Sequence, residues 1–220
     1  MDLRRRVAAE MIGTALLLAA VVGSGIMGER LAGGNVAVAL LANTIATGAA
    51  LVALILTFGP ISGAHFNPVV SLADASQGGL TWPDACAYTM AQLTGAVLGV
   101  GAADYMFQEP LYSLSRHVRS GLSQAFGEVV ATFGLLAVIW GCSRRRSTTV
   151  PFAVGAYITA AYWFTSSTSF ANPCDLGEQP LTLVVPKGYR YSRRGHARHP
   201  EVPSPVRSSY AYRCRIDKPA

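Results

Sequence analysis

Asn-Pro occurs twice in closely similar settings, as Ser62-Gly63-Ala64-His65-Phe66-Asn67-Pro68 and as Ser167-Thr168-Ser169-Phe170-Ala171-Asn172-Pro173. The combination has a definite chemical use. Asn is a good helix N-cap, and Pro at the first helical position gives up nothing, because its N–H would be unpaired there anyway. Each Asn-Pro therefore starts a helix directly out of a short, mostly small and polar stretch. Two carboxyls, Glu10 and Glu128, and one amide, Gln92, sit inside apolar runs. An ionisable group so placed costs about 2.5–3.5 kcal/mol on insertion scales and marks a functional or supporting role. Each glutamate is expected to accept hydrogen bonds from the Asn-Pro loop of its own half of the chain, and Gln92 to brace the loop and its packing.

Catalysis has little to work with. His65 with Glu10 and Glu128 is too sparse for an intramembrane enzyme, which would need a nucleophile–base pair or a metal cluster. No acid or lysine beyond the paired glutamates offers an ion-coupling site for active transport. The cysteines Cys86, Cys142, Cys174 and Cys214 form no CxxC pair, so neither a disulfide framework nor a metal site is expected. No cofactor is expected either.

The elements that must position these groups are apolar helices. Of 220 residues, 51% are apolar and 14% charged, against roughly 25% charged in a soluble domain, so the partner of this chain is the lipid bilayer. Runs of about 20 apolar residues, enough to cross it, occupy 7–28, 36–57, 82–103, 122–142 and 150–168. The first follows Arg4 to Arg6 but is longer than the core of a signal peptide, and so is expected to stay uncleaved. A cytoplasmic amino terminus puts Arg4, Arg5, Arg6, Arg144, Arg145 and Arg146 inside, against Arg30, Arg116 and Arg119 outside. The arginine balance favours that orientation in a cell membrane, plasma or inner.

The spans repeat. Shifting the first by 118 positions aligns Glu10, Thr14, Leu17, Leu18 and Ala19 with Glu128, Thr132, Leu135, Leu136 and Ala137. The second and fifth spans each carry Gly-Ala early, at Gly48-Ala49 and Gly155-Ala156, and each leads into an Asn-Pro. The unit is span, span, Asn-Pro loop, span. Its odd number of spans forces the two copies to lie upside down relative to each other, a pattern of transport proteins with interrupted helices. Non-helical backbone is tolerated at membrane depth only where it faces protein or a watery path, so the two helix starts should meet near the midplane.

These features resemble the major intrinsic proteins, the aquaporin and glycerol-channel family. The resemblance covers residues 1–173 and rests on Glu-x-x-x-Thr in the first and fourth spans, SGAHFNPVV at 62–70, Ala91-Gln92-x-x-Gly95-Ala96 and FANP at 170–173. It implies an all-α membrane protein, an inverted-repeat bundle with a pore in each subunit of a homotetramer, passing water or small uncharged solutes without any covalent step. In such a pore Asn67 and Asn172, each followed by its proline (Pro68, Pro173), would present their amides to the lumen, and His65 would line the vestibule. The resemblance implies a selectivity filter at Thr47, Ala160, Ser169 and Asp175. The first three are small, which implies a wide filter suited to glycerol-like solutes or metalloid hydroxides. The fourth departs from the family, which commonly has Arg there.

The likeness stops in mid-motif. Residues 1–173 hold nine arginines, eight acids and no lysine, whereas 174–220 hold nine basic residues, four acids and six of the twelve prolines. The longest near-apolar run after Pro173 is Leu181 to Val185, far short of a span. The expectation is therefore five spans and re-entrant half-helix structure in an incomplete channel domain, 1–173, with the sixth span missing. The basic, Pro-rich tail 174–220 is expected to be disordered or translated out of frame. It shows no nucleic-acid motif and no regular aromatic interleaving, so no nucleic-acid partner is expected. A non-conducting membrane remnant stands as the alternative to a working channel.

Overall fold

The computed structural model describes residues 1–111 and 122–166, and these contain six α-helices and no strand. They are α1 (Leu3–Leu31), α2 (Val36–Ser62), α3 (Pro68–Ser76), α4 (Trp82–Phe107), α5 (Leu122–Ser143) and α6 (Val150–Phe164). Four of them, α1, α2, α4 and α5, are long and apolar enough to cross a membrane. The fifth expected span corresponds to α6, whose 15 residues end at Phe164 rather than at 168. The longer helices run past the apolar stretches read from sequence. At about 1.5 Å per residue, the 29 residues of α1 reach about 43 Å, the hydrocarbon core plus both headgroup layers.

Local chemistry explains where the helices turn. Between α1 and α2 the chain reverses through Gly33 and Gly34, at φ +56° and +87°, and Asn35 caps α2 by accepting from the N–H groups of Ala37 and Val38. Thr81 caps α4, accepting from Asp84 N–H. Prolines stand in the first turns of α3, α4 and α6, where they cost nothing.

Packing relies on glycine at helix crossings. A Cβ on Gly95 or Gly99 of α4 would run into the backbone carbonyls of Met11 or Ala15 on α1. The missing side chains let the two backbones approach closely, as membrane helices favour. The core between the helices includes Leu17, Leu18, Leu51, Leu135, Val154 and Ile158. Large apolar side chains such as Leu16, Ile45, Met90, Leu98 and Phe133 are exposed on the outside of the spans, as a multi-pass membrane protein requires.

The inversion of the repeat is visible in the helix directions. Contacts of Arg6 with Asp84 and of Arg30 with Glu109 place the starts of α1 and α4 on one face and their ends on the other. The end of α5 returns to the first face, where Arg144 donates to Gln77 just beyond α3. Thus α5 runs opposite to α1, and α6, paired with α2 through Thr47 and Tyr162, runs opposite to α2.

Candidate functional site: a re-entrant loop and its cavity

Residues 63–67 bring the chain back into the bundle. Gly63 ends α2 in the left-handed conformation, φ +93°, with its N–H on the carbonyl of Gly59. Ala64 and Phe66 then adopt φ +52° and +50°, a region that costs a non-glycine residue about 1–3 kcal/mol unless its surroundings hold it. Three consecutive N–H groups provide that hold. Ala64 donates to Ser62 Oγ at 3.1 Å, His65 to Glu10 Oε1 at 3.0 Å and Phe66 to Glu10 Oε2 at 2.7 Å.

Glu10 is fully buried on α1 and accepts two further bonds, from Ser62 Oγ at 2.6 Å and from Gln92 Nε2 at 2.8 Å. Gln92 also donates to Ser71 Oγ at 2.9 Å, tying the first turn of α3 to the same carboxylate. The Phe66 ring lies over Gly13, where a Cβ would collide with it, and meets Phe58 edge-on. Gly13 lies ten residues beyond Leu3, about 15 Å along α1. The loop apex therefore reaches mid-span.

From that apex Asn67 starts α3 with extended backbone, its side-chain oxygen accepting from Val69 N–H at 2.8 Å, and Pro68 follows at the first helical position. The helix N-terminus carries about half a positive charge, here placed in the bundle interior. Asn67, Ala64 and His65 line a cavity of about 590 Å³ that extends one way past Leu51 and Ile158 to Thr47 and Tyr162, and the other way past Gly59 and Asp74 to Ser147. Its lining is mainly apolar side chains, interrupted by a few polar groups. The His65 ring stacks edge-on against Tyr88, with Nδ1 3.1 Å from Ser71 Oγ and Nε2 3.9 Å from Asp74.

Two antiparallel helix pairs in opposite orientation, with a half-helix started at mid-span beside an apolar cavity, form a channel-like arrangement. Residues 1–174 match the family described as major intrinsic protein. The chain belongs to the major intrinsic protein family. It is 56% identical over 172 residues to aquaglyceroporin AqpS of Rhizobium meliloti (strain 1021), covering 78% of this chain and 73% of that protein. Aquaporin NIP1-1 of Zea mays is 32% identical over 159 residues, 70% of this chain but only 55% of the maize protein. The described fold resembles the crystal structure of the aquaglyceroporin from Plasmodium falciparum, with a TM-score of 0.66 at 24% identity, covering 82% of this chain and 81% of that one.

Within this major intrinsic protein fold the site residues expected from sequence divide into three groups. Glu10, Gln92, His65, Asn67 and Pro68 come together around the first loop. Thr47 is buried, lines the cavity and donates to Asn43 Oδ1 at 3.1 Å. Asn172, Pro173, Ser169 and Asp175 lie outside the described residues, as does the segment 174–220. Glu128 sits on α5 at the place equivalent to Glu10 on α1.

Ala160 lies apart from this cavity among the described residues. It is exposed and does not line the cavity, whereas Ile158 and Tyr162 do. The reason is helical phase. Residues 158 and 162 are four apart and share a face, while 160, two positions from each, points to the opposite side.

The sequence reading also missed the support behind Ser62. Arg6 Nε donates to Tyr88 OH at 2.8 Å, and Tyr88 OH donates in turn to the backbone carbonyl of Ser62 at 2.8 Å. The Arg6 guanidinium also reaches Asp84 at 3.1 Å. A signal was present: Arg6 and Glu10 are four apart, as are Asp84, Tyr88 and Gln92, so each set lies along one helix face.

Proposed function

We propose that this chain is a passive channel for water or small uncharged solutes, inserted with its amino terminus in the cytoplasm of a cell membrane and assembled as a homotetramer. The observation that carries the reading is the Asn67-capped half-helix, started at mid-span by a loop that Glu10 holds, with its N-terminus beside the continuous cavity. A neutral solute oxygen is accommodated by that positive end, while cations and protons are opposed by it. In the proposed pore Asn172 and Pro173 supply the equivalent start from the other side, Glu128 supports that loop as Glu10 supports the first, and Ser169 and Asp175 belong to the entrance beyond Thr47. No side chain is required to exchange a proton or form a bond, so the activity is transport rather than catalysis. The name of the Rhizobium relative, an aquaglyceroporin, supports glycerol-like solutes among the permeants.

Stopped-flow osmotic swelling of proteoliposomes tests the reading. Water or glycerol permeability above protein-free vesicles is the expected result, and permeability equal to them overturns it in favour of the non-conducting remnant. Light scattering of the detergent-solubilised protein reads the tetramer. The family match ends at residue 174, which supports treating 174–220 as lying outside the channel domain and out of frame. Translating the other two reading frames beyond codon 173 tests this, since absence of a further half-helix and apolar span from both overturns it.

A further inference from the structure

Ser71, in the first turn of α3, is fully buried, and three polar groups surround its hydroxyl. Gln92 Nε2 lies 2.9 Å from Oγ, His65 Nδ1 3.1 Å and the carbonyl of Asn67 3.3 Å. Glu10 accepts at both oxygens, and Oε2 takes the Gln92 amide N–H at 2.8 Å. That contact fixes the amide with its nitrogen, not its oxygen, toward Glu10 and Ser71. Ser71 Oγ therefore accepts from Gln92 and keeps its single proton for His65 or for Asn67. The Asn67 carbonyl already takes the Ser71 N–H at 3.1 Å, and its bond to the hydroxyl is the longer of the two. At the other end of the imidazole, Nε2 lies 3.9 Å from Asp74 Oδ2, and a carboxylate favours an N–H over a lone pair facing it. A neutral ring carries one N–H. With that proton on Nε2, Nδ1 is left as the acceptor for Ser71 O–H. Gly63 and Asp74, which flank Nε2, line the cavity together with His65.

We propose that Ser71, itself oriented by Gln92 and Glu10, is a positioning residue that fixes the tautomer of His65, so that the ring presents an N–H rather than a lone pair to the cavity. The chain of bonds has one direction. The Glu10 carboxylate sets the Gln92 amide, the amide sets the Ser71 hydroxyl, and the hydroxyl sets the imidazole, as an outer partner does for a histidine whose far nitrogen is the working one. A neutral solute passing His65 then meets a donor and offers it an oxygen. That consequence for transport rests on the channel reading above; the tautomer itself does not.

Solid-state NMR of the full chain in lipid bilayers, with isotope-labelled histidine and at a pH above the ordinary histidine range, reads the tautomer. The His65 signals are those lost in His65→Asn. A pyridine-type Nδ1 with a pyrrole-type Nε2 is expected; the reverse pattern, a mixture of the two, or an imidazolium overturns the proposal. Ser71→Ala is expected to turn the single form into a mixture and Ser71→Thr, which keeps the hydroxyl, to retain it. A serine that only fills space would leave the tautomer unchanged, so a wild-type spectrum in Ser71→Ala overturns the role of Ser71. Ser71→Cys, of similar size but a weak donor, serves the same comparison if Ser71→Ala does not fold. In proteoliposomes Ser71→Ala is expected to lower solute permeability several-fold and Ser71→Thr to restore it. Wild-type flux that Ser71→Ala leaves intact overturns the consequence for transport. Wild-type flux at the protein-free level overturns the channel reading, while the spectra still decide the tautomer.

Discussion

Gly48 and Gly155 face each other where α2 crosses α6: a Cβ on Gly155 would stand 2.8 Å from the carbonyl oxygen of Gly48, and one on Gly48 would stand 3.1 Å from that of Gly155. The two glycines hold corresponding places in the two copies of the repeat. The copies therefore meet through equivalent residues, as elements related by a local two-fold axis do, and backbone lies against backbone beside the cavity. Gly155→Val should push α6 away from α2 and lower the yield of monodisperse protein in size-exclusion chromatography. Gly141→Ala, at a helical glycine with nothing within 4 Å of the added carbon, should be neutral or stabilising by up to about 1 kcal/mol.

Replacing Glu10 by Gln converts one acceptor oxygen into a donor. Whichever oxygen is lost, two of the four donors on Glu10 (Ser62 Oγ, His65 N–H, Phe66 N–H and Gln92 Nε2) lose their partner. Leaving buried donors unpaired costs about 1–3 kcal/mol each, so a destabilisation of about 2–6 kcal/mol is expected. Thermal unfolding in detergent should show it as a lowered Tm, and solute flux should fall as well.

The cap on α3 separates two roles of Asn67. Asn67→Ala removes the acceptor for Val69 N–H and should cost about 1 kcal/mol. Asn67→Ser keeps a capping oxygen but shortens the group that lines the cavity. If Asn67 serves only as a cap, both stability and permeability of the serine variant match the wild type; a solute contact predicts wild-type stability with altered flux.

Tyr88→Phe removes a hydroxyl that both accepts from Arg6 and donates to the carbonyl of Ser62. The Ser62 carbonyl loses its buried donor, and a loss of about 1–2 kcal/mol is expected. Hydrogen exchange should rise at Ala64 to Phe66, the strained residues downstream, before it rises in α4 itself.

Much of the architecture is legible in the residues because it follows from local rules. Asn67-Pro68 announces a helix start whatever surrounds it, since the capping amide and the ring act on their own backbone. Glu10 in an apolar run demands a hydrogen-bonding partner, and the nearest Asn-Pro loop is the natural one. Helix ends were less legible, because hydropathy locates the hydrocarbon core while α1 and α4 continue to their capping turns.

Side-chain direction on an apolar helix marks the boundary. α6 is apolar almost all round, so its composition does not say which face looks into the cavity, and the small Ala160 and the bulky Tyr162 are equally compatible with the pattern. The Arg6–Tyr88–Ser62 relay likewise needed the close approach of α1 and α4 that Gly95 and Gly99 permit. The sequence by itself determined the apolar spans, their inverted repetition and the start of a half-helix within the first copy, for these depend on hydropathy, the parity of spans and residues acting on adjacent backbone. Only the tertiary structure decided that Tyr162 rather than Ala160 lines the cavity among the described residues and that Tyr88 stands behind the loop, because those depend on how helices distant in the chain are rotated and how closely they pack.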